Sequence, residues 1–314
     1  MSVPMSVLIS NLVGLFLLMA VGALMVRLKV VPITISGHLS RLLMTVMAPA
    51  MIFHSMLQPF SADFLRDSAV IFVAGCVMYL LGIAVAFLLT KVFRVPRDRG
   101  LWTLCVAFPN NGFMGFPIIQ ALLGDQALAL AAIMGIPFNI FLYTLGVRVL
   151  FSDRAGEGGE ASGISLRKIL LTPANVATVL GLLVFLLQIP VPSALDTPIS
   201  YLSGMATPMS MLVIGMGLTR CSVSQVIRDR SVLLAALSKL VLLPLLAFCL
   251  LKLIPFRNEL IAPVVLITMV MPTAAIVSAL AEQYETNMDL AVKITFLTGL
   301  LCILTVPLIL TLPL

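Results

Sequence analysis

Apolar runs of about 20 residues recur along the whole 314-residue chain, each long enough to cross roughly 30 Å of hydrocarbon. Runs of that length read as membrane-spanning helices, and no stretch between them reads as a separate soluble domain. Composition points the same way: 61% of residues are hydrophobic, 10% are charged and the mean hydropathy is +1.17. A soluble domain sits nearer half apolar and a quarter charged. The first run, "MSVLISNLVGLFLLMAVGALM", is too long for a signal-peptide core and has no basic residue before it. It is expected to be a retained span.

Ten spans are expected, at 5–26, 37–58, 68–92, 100–122, 126–149, 172–189, 197–218, 231–254, 259–281 and 289–311, with boundaries good to a few residues. The loops after the odd-numbered spans, with their flanks, hold Arg27, Lys29, Arg41, Lys91, Arg94, Arg97, Arg99, Arg148, Arg154, Arg167, Lys168, Arg220, Arg228, Arg230 and Lys293. The other side holds Arg66, Lys252 and Arg257. Positive residues mark the cytoplasmic side, so both termini are expected outside the cytoplasm. The same asymmetry explains the net charge of +6 without any nucleic-acid partner. Cys76, Cys105, Cys221, Cys249 and Cys302 form no CxxC or Cys/His cluster and read as small buried hydrophobes, so neither disulfide nor metal is expected.

An odd number of spans per half inverts the second half relative to the first, and the sequence carries such a repeat. "AFLLTKVF" (86–93) aligns with "AFCLLKLI" (247–254), placing Lys91 against Lys252. Downstream "AFPNNG" aligns with "VMPTAA", pairing Pro109 with Pro272; upstream "VMAPAMIF" resembles "MATPMSML", pairing Pro49 with Pro208. The expected organisation is a first five-helix repeat at 1–150, a polar Gly/Ser-rich cytoplasmic linker at 151–171, and a second, inverted repeat at 172–314. Inverted repeats of this kind are a transporter architecture.

The stretch "AFPNNGFMGFPIIQALLG" (107–124) puts strong helix breakers where a membrane helix should be most continuous. Pro109 follows about nine helical residues, which reaches roughly the bilayer midplane. It removes a backbone donor and disfavours helix in the residue before it. Asn111 and Gly112 then offer left-handed conformations and a cap for a half-helix beginning near Phe113. Pro272 enters from the other side, with Thr273 available as a cap. Two broken helices are thus expected to cross, their second halves aiming positive N-terminal ends at the crossing. Non-helical backbone at that depth survives only inside protein or along a hydrated cavity. The alternative is a kink repaired by neighbouring helices, with the asparagines as packing glue.

No acidic residue lies deep in a span, and HExxH, GxxxxGK[ST] and GxSxG motifs are absent, so the parts of a hydrolase are missing. Lys239 in "LLAALSKLVLLPLL" is a cation within span 8, read either as a cavity residue or as a contact to backbone carbonyls. His54 is read as an interfacial histidine or as a substrate or proton contact. Asn139 and Tyr143, one helical turn apart, either line the pocket or bridge helices. Dipoles, amides and one lysine with no buried acid suit an anion, and a carboxylate first of all.

At these residues the chain resembles the auxin efflux carrier family of plant PIN-type carriers and bacterial organic-acid transporters. "PNNGFMGFPII" is similar to the plant pattern P-N-x-x-x-M-G-x-P-L-L, and "PAMIFH" to a P-L-L-S-F-H segment; "MPTAAIVSALAEQY" and "LLTPANVATVLGLL" are typical of bacterial members. The resemblance implies an all-α polytopic fold like those of bile-acid symporters and sodium/proton antiporters, with broken helices 4 and 9 crossing. It implies a scaffold of spans 1, 2, 6 and 7, a transport domain of spans 3–5 and 8–10, and a homodimer. The family's crossover asparagine falls on Asn110, the crossing prolines on Pro109 and Pro272, and its histidine on His54. The long plant cytoplasmic loop and its regulation are missing here. The reading is therefore a secondary or facilitative carrier of a small organic anion, such as malate, malonate or an auxin-like carboxylate, in the inner membrane and working by elevator-type alternating access. Its expected site residues are Asn110, Asn111, Gly112, Thr273, Lys239, His54, Asn139 and Tyr143. It needs no cofactor, and sodium or a proton is the candidate coupling ion. The alternatives are an ion-coupled carrier of another amphipathic solute, or an anion channel.

Overall fold

The computed structural model describes residues 5–58, 60–95, 97–150, 171–219 and 226–312. Twelve helical segments matter below: α1 (Met5–Arg27), α2 (Ile35–Ser55), α3 (Ala62–Val92), α4 (Arg99–Ala107), α5 (111–123), α6 (125–150), α7 (Pro173–Leu187), α8 (Ser193–Gly217), α9 (Arg230–Lys252), α10 (Ile261–Val270), α11 (Ala275–Gln283) and α12 (Met288–Leu310). The described residues contain one isolated β-bridge and are otherwise helix and connection. Six helices are long and apolar enough to cross a membrane: Ile35–Ser55, Ala62–Val92, Asn111–Leu150, Ser193–Gly217, Arg230–Lys252 and Met288–Leu310. Shorter apolar helices lie at Val13–Arg27, Pro173–Leu187 and Ile261–Val270. The chain is a multi-pass membrane protein. Cys221 and nearly all of the expected linker fall outside the described residues.

Local chemistry sets the helix ends. Ser61 accepts from the N–H of Phe64 at 3.2 Å to open α3, and Thr172 accepts from Asn175 at 3.3 Å to open α7. Pro173 follows Thr172 in the first turn of α7, where its missing N–H costs nothing. Asp229 caps α9 through Ser231 at 2.9 Å, and Asn287 caps α12 through Leu290 at 3.1 Å. Between α5 and α6 the backbone turns at Gly124 with φ 82° and ψ −174°, a conformation that only glycine adopts without strain.

Tertiary contacts gather α1 against α8, α8 against α2, and α2 against α7. Glycines set the first of these: a Cβ at Gly22 would lie 2.2 Å from the carbonyl oxygen of Leu212, and one at Gly215 would lie 1.9 Å from that of Met19. The remaining helices pack chiefly among themselves, α3 on α4 to α6, α10 on α6 and α9, and α12 on α9 and α11. Their centre is aromatic. Tyr79 stacks on Phe108 at 6.4 Å and meets the Phe138 ring edge-on at 5.7 Å, and Phe108 meets Phe138 at 5.5 Å. Trp102, fully buried, donates its indole N–H to the carbonyl of Ser231 at 3.0 Å, tying α4 to α9. Asn258 donates to Asp67 at 2.6 Å, and Asn287 to Asp98 at 2.9 Å, closing polar ties between residues about 190 apart in sequence.

Candidate functional site at the crossover

Helix α4 ends at Ala107, and Phe108 is extended, with φ −99° and ψ 114°. Helix α10 ends at Val270, and Met271 is extended in turn, with φ −61° and ψ 148°. The two extended segments pair antiparallel: the N–H of Asn110 donates to the carbonyl of Pro272 at 2.8 Å, and that of Ala274 to the carbonyl of Phe108 at 3.0 Å. Pro109 therefore faces Thr273 rather than Pro272, in the bridge position that takes no N–H from either residue. A proline costs the bridge nothing there.

It does cost α4 something. The N–H that Pro109 lacks would have reached the carbonyl of Cys105, one turn back. Thr273 supplies the missing donor, its hydroxyl lying 2.7 Å from that oxygen. The N–H of Thr273 goes to the hydroxyl of Thr298 on α12 at 3.2 Å. Thr273 is thus not the cap expected from sequence. The N-cap of α11 is Ala274, which has no side-chain acceptor.

The cap of α5 also sits one residue earlier than expected. Asn110, not Asn111, accepts the N–H of Phe113, at 3.4 Å, while its own carbonyl accepts from Gly115 at 2.9 Å and opens a π-turn over Asn111–Gly115. Asn111 and Gly112 are helical rather than left-handed. Asn111 donates its amide to the hydroxyl of Tyr79 at 2.9 Å. A Cβ on Gly112 would lie 2.8 Å from the Cε of Met44, a movable side-chain end, and Gly112 is not among the residues that line the cavity beside the crossover.

A cavity of about 200 Å³ opens beside the crossover. Asn110, Phe113, Pro272 and Thr273 form its floor, Ala275 and Ser278 of α11 with Thr295 and Phe296 of α12 one wall, and Ser36 and Ser40 of α2 with Val213, Ile214 and Leu218 of α8 the other. Among the described residues no charged side chain lines it. Asn110 is 7% exposed, and its amide nitrogen has no acceptor among the described residues, so its two hydrogens are left to the cavity. Ala275 brings the first turn of α11, whose N–H groups no side chain caps, into the same wall. The serines of α2 are a feature that sequence reasoning missed. Their only signal was polar residues at a four-residue spacing near the start of span 2.

The remaining expected residues lie outside the cavity wall. Asn139 bridges helices, donating to Asn175 of α7 at 2.8 Å and to the carbonyl of Gly135 at 3.2 Å. Tyr143 packs half-buried against the core. His54 stands 3.9 Å from Asp196 at the start of α8. Lys239 is fully buried in a π-turn of α9 that packs on α4, α10 and α12, and its ammonium has no hydrogen-bond partner among the described residues.

Residues 7–310 match the membrane transport protein family. The chain belongs to that family. This is the auxin efflux carrier family that the crossover motifs resemble, and membership makes the protein a transporter rather than an enzyme. The transporter is 28% identical over 278 residues to an uncharacterized transporter of Methanothermobacter thermautotrophicus, covering 87% of each chain. It is 25% identical over 254 residues to one of Methanocaldococcus jannaschii, covering 78% of each.

Proposed function

We propose that this transporter is a secondary or facilitative carrier of small organic anions, a carboxylate above all, gripped at the crossover. One observation carries the reading: the amide nitrogen of Asn110 and the uncapped N-terminus of α11 meet in a cavity with no acidic side chain among its described residues. Amide hydrogens and a positive helix end are what a carboxylate needs, and a bare cation would find few ligands there.

The proposed architecture is ten spans in two inverted five-helix repeats, with α1, α2, α7 and α8 as scaffold and α3–α6 with α9–α12 as the moving body. The packing groups support that division, and the cavity lies at the boundary between them. The repeat is supported by Lys91 over the Phe87 ring at 5.3 Å and Lys252 over the Phe248 ring at 5.2 Å, the aligned residues making one contact twice. Elevator-type movement would carry the crossover past α2 and α8. In the proposed orientation, with both termini outside the cytoplasm in an inner membrane, Ser36 and Leu218 of the cavity face the cytoplasm; the charge asymmetry supports that orientation. A homodimer through the scaffold, and sodium or a proton as coupling ion, belong to the same proposal.

The test is charge movement or labelled uptake in proteoliposomes, with malate, malonate, succinate, lactate and indole-3-acetate, with and without sodium. Saturable flux with counterflow, lost in Asn110→Ala, is the expected result. Ohmic single-channel steps would replace the carrier with a channel.

A further inference from the structure

We infer that the cavity selects singly charged carboxylates and turns away dianions of the same skeleton, an inference that rests on the anion-carrier reading above. The argument is a count of donors. Among the described residues, the groups able to donate into the cavity sit on one side: the amide of Asn110, the first turn of α11, and one hydrogen of the Ser278–Thr295 pair, whose hydroxyls lie 3.2 Å apart and share a single hydrogen bond. That set holds one carboxylate.

The described residues of the opposite wall offer no donor to a second. Val213, Ile214 and Leu218 are alkyl surface. Ser36 spends its hydrogen on the carbonyl of Ile33 and Ser40 on that of Ser36, each at 2.7 Å, so neither hydroxyl has a hydrogen left for the cavity. A second carboxylate there would exchange water for hydrocarbon and acceptors, with no lysine, arginine or histidine among the described residues of the wall. A neutral alkyl group or a hydrogen-bond donor at that end meets matched surface. The volume of about 200 Å³ lies below the roughly 300–1,000 Å³ of drug-sized pockets, which restricts the ligand to a compact body.

The deciding experiment uses pairs that differ in charge and little in shape: succinate with monomethyl succinate, and malonate with monomethyl malonate. Purified full-length protein in detergent is titrated with each, reading the ligand-induced rise in Tm, and the same compounds compete in proteoliposome uptake. The monoesters are expected to bind at least about tenfold more tightly than their dianions, because the second carboxylate gives up water and gains no donor. Ser40→Arg, which places a cation on the bare wall, is expected to narrow that gap at least about tenfold. Dianions that bind as well as their monoesters overturn the inference and leave the carboxylate carrier standing. Failure of every carboxylate, with Asn110→Ala indistinguishable from the parent in Tm response and uptake, overturns both. Should Ser40→Arg not fold, the pairs measured on the parent protein decide alone.

Discussion

The hydroxyl of Thr273 donates, at 2.7 Å, to the carbonyl of Cys105, the group that Pro109 leaves without its helical partner. A defect in one broken helix is repaired by a side chain from the other, 168 residues away. Thr273→Val keeps the shape and removes the donor. It should lower stability by about 1–3 kcal/mol, the cost of an orphaned buried carbonyl, whereas Thr273→Ser should stay near the parent. Thermal unfolding in detergent reads both.

Asn110 has two roles that substitution can separate. Its oxygen caps α5 through Phe113, and its nitrogen faces the cavity. Asn110→Asp keeps the cap and reverses the chemistry offered to an anion, so carboxylate binding should vanish while Tm holds. Asn110→Ala should lose binding and also about 1 kcal/mol of stability from the missing cap. Equal binding in the aspartate variant and the parent would remove Asn110 from the site.

The contact of α1 with α8 leaves no room for a methyl group at Gly22 or Gly215. Gly215→Ala should force the helices apart, because the obstacle is the backbone oxygen of Met19 and not a movable side-chain end. A loss of about 1–3 kcal/mol or more is expected, seen as a lower Tm and reduced yield of folded protein. Gly204→Ala, with open space around the new methyl, is the control and should be neutral or slightly stabilising.

Asn139 on α6 donates a hydrogen bond to Asn175 on α7 at 2.8 Å, joining the two packing groups. If the groups slide past each other during transport, that bond must break in each cycle. A double-mutant cycle on Asn139→Ala and Asn175→Ala should give about 0.5–1.5 kcal/mol of coupling in stability. Asn139→Ala should change the transport rate while ligand affinity stays within about twofold.

Lys239 carries a buried ammonium with no hydrogen-bond partner among the described residues, outside the cavity wall. Lys239→Met, of similar volume and uncharged, should raise stability by about 1–4 kcal/mol. Ligand affinity should remain that of the parent. A collapse of affinity would move the ammonium into the binding chemistry.

What the sequence made legible follows from how local each cause is. Pro109 and Pro272 break their helices for reasons contained in one residue, and both breaks are where the residues put them. The cap slipped from Asn111 to Asn110 because two adjacent asparagines offer the same side chain, and only the pairing of Asn110 with Pro272 chooses between them. The role of Thr273 was out of reach, since its acceptor is in the other half of the chain. So were the α2 serines of the cavity and the glycine contact of α1 with α8, which depend on how distant helices dock. Asn139 is open between lining and bridging in the sequence because its partner, Asn175, lies on a different helix.

The antiparallel pairing at the crossover also bears on how the protein is made. Residues 108–110 emerge from the ribosome more than 160 residues before 272–274 exist. Until then the carbonyl of Phe108 and the N–H of Asn110 have no partner, at a depth where lipid supplies none. The first half of the chain therefore enters the bilayer with an open seam, which only the last third can close. Water, a chaperone or a delay in lateral release must shelter it in the interval. Nascent chains cut just before Pro272 should accordingly remain extractable or bound to the insertion machinery, and chains extended through α12 should not.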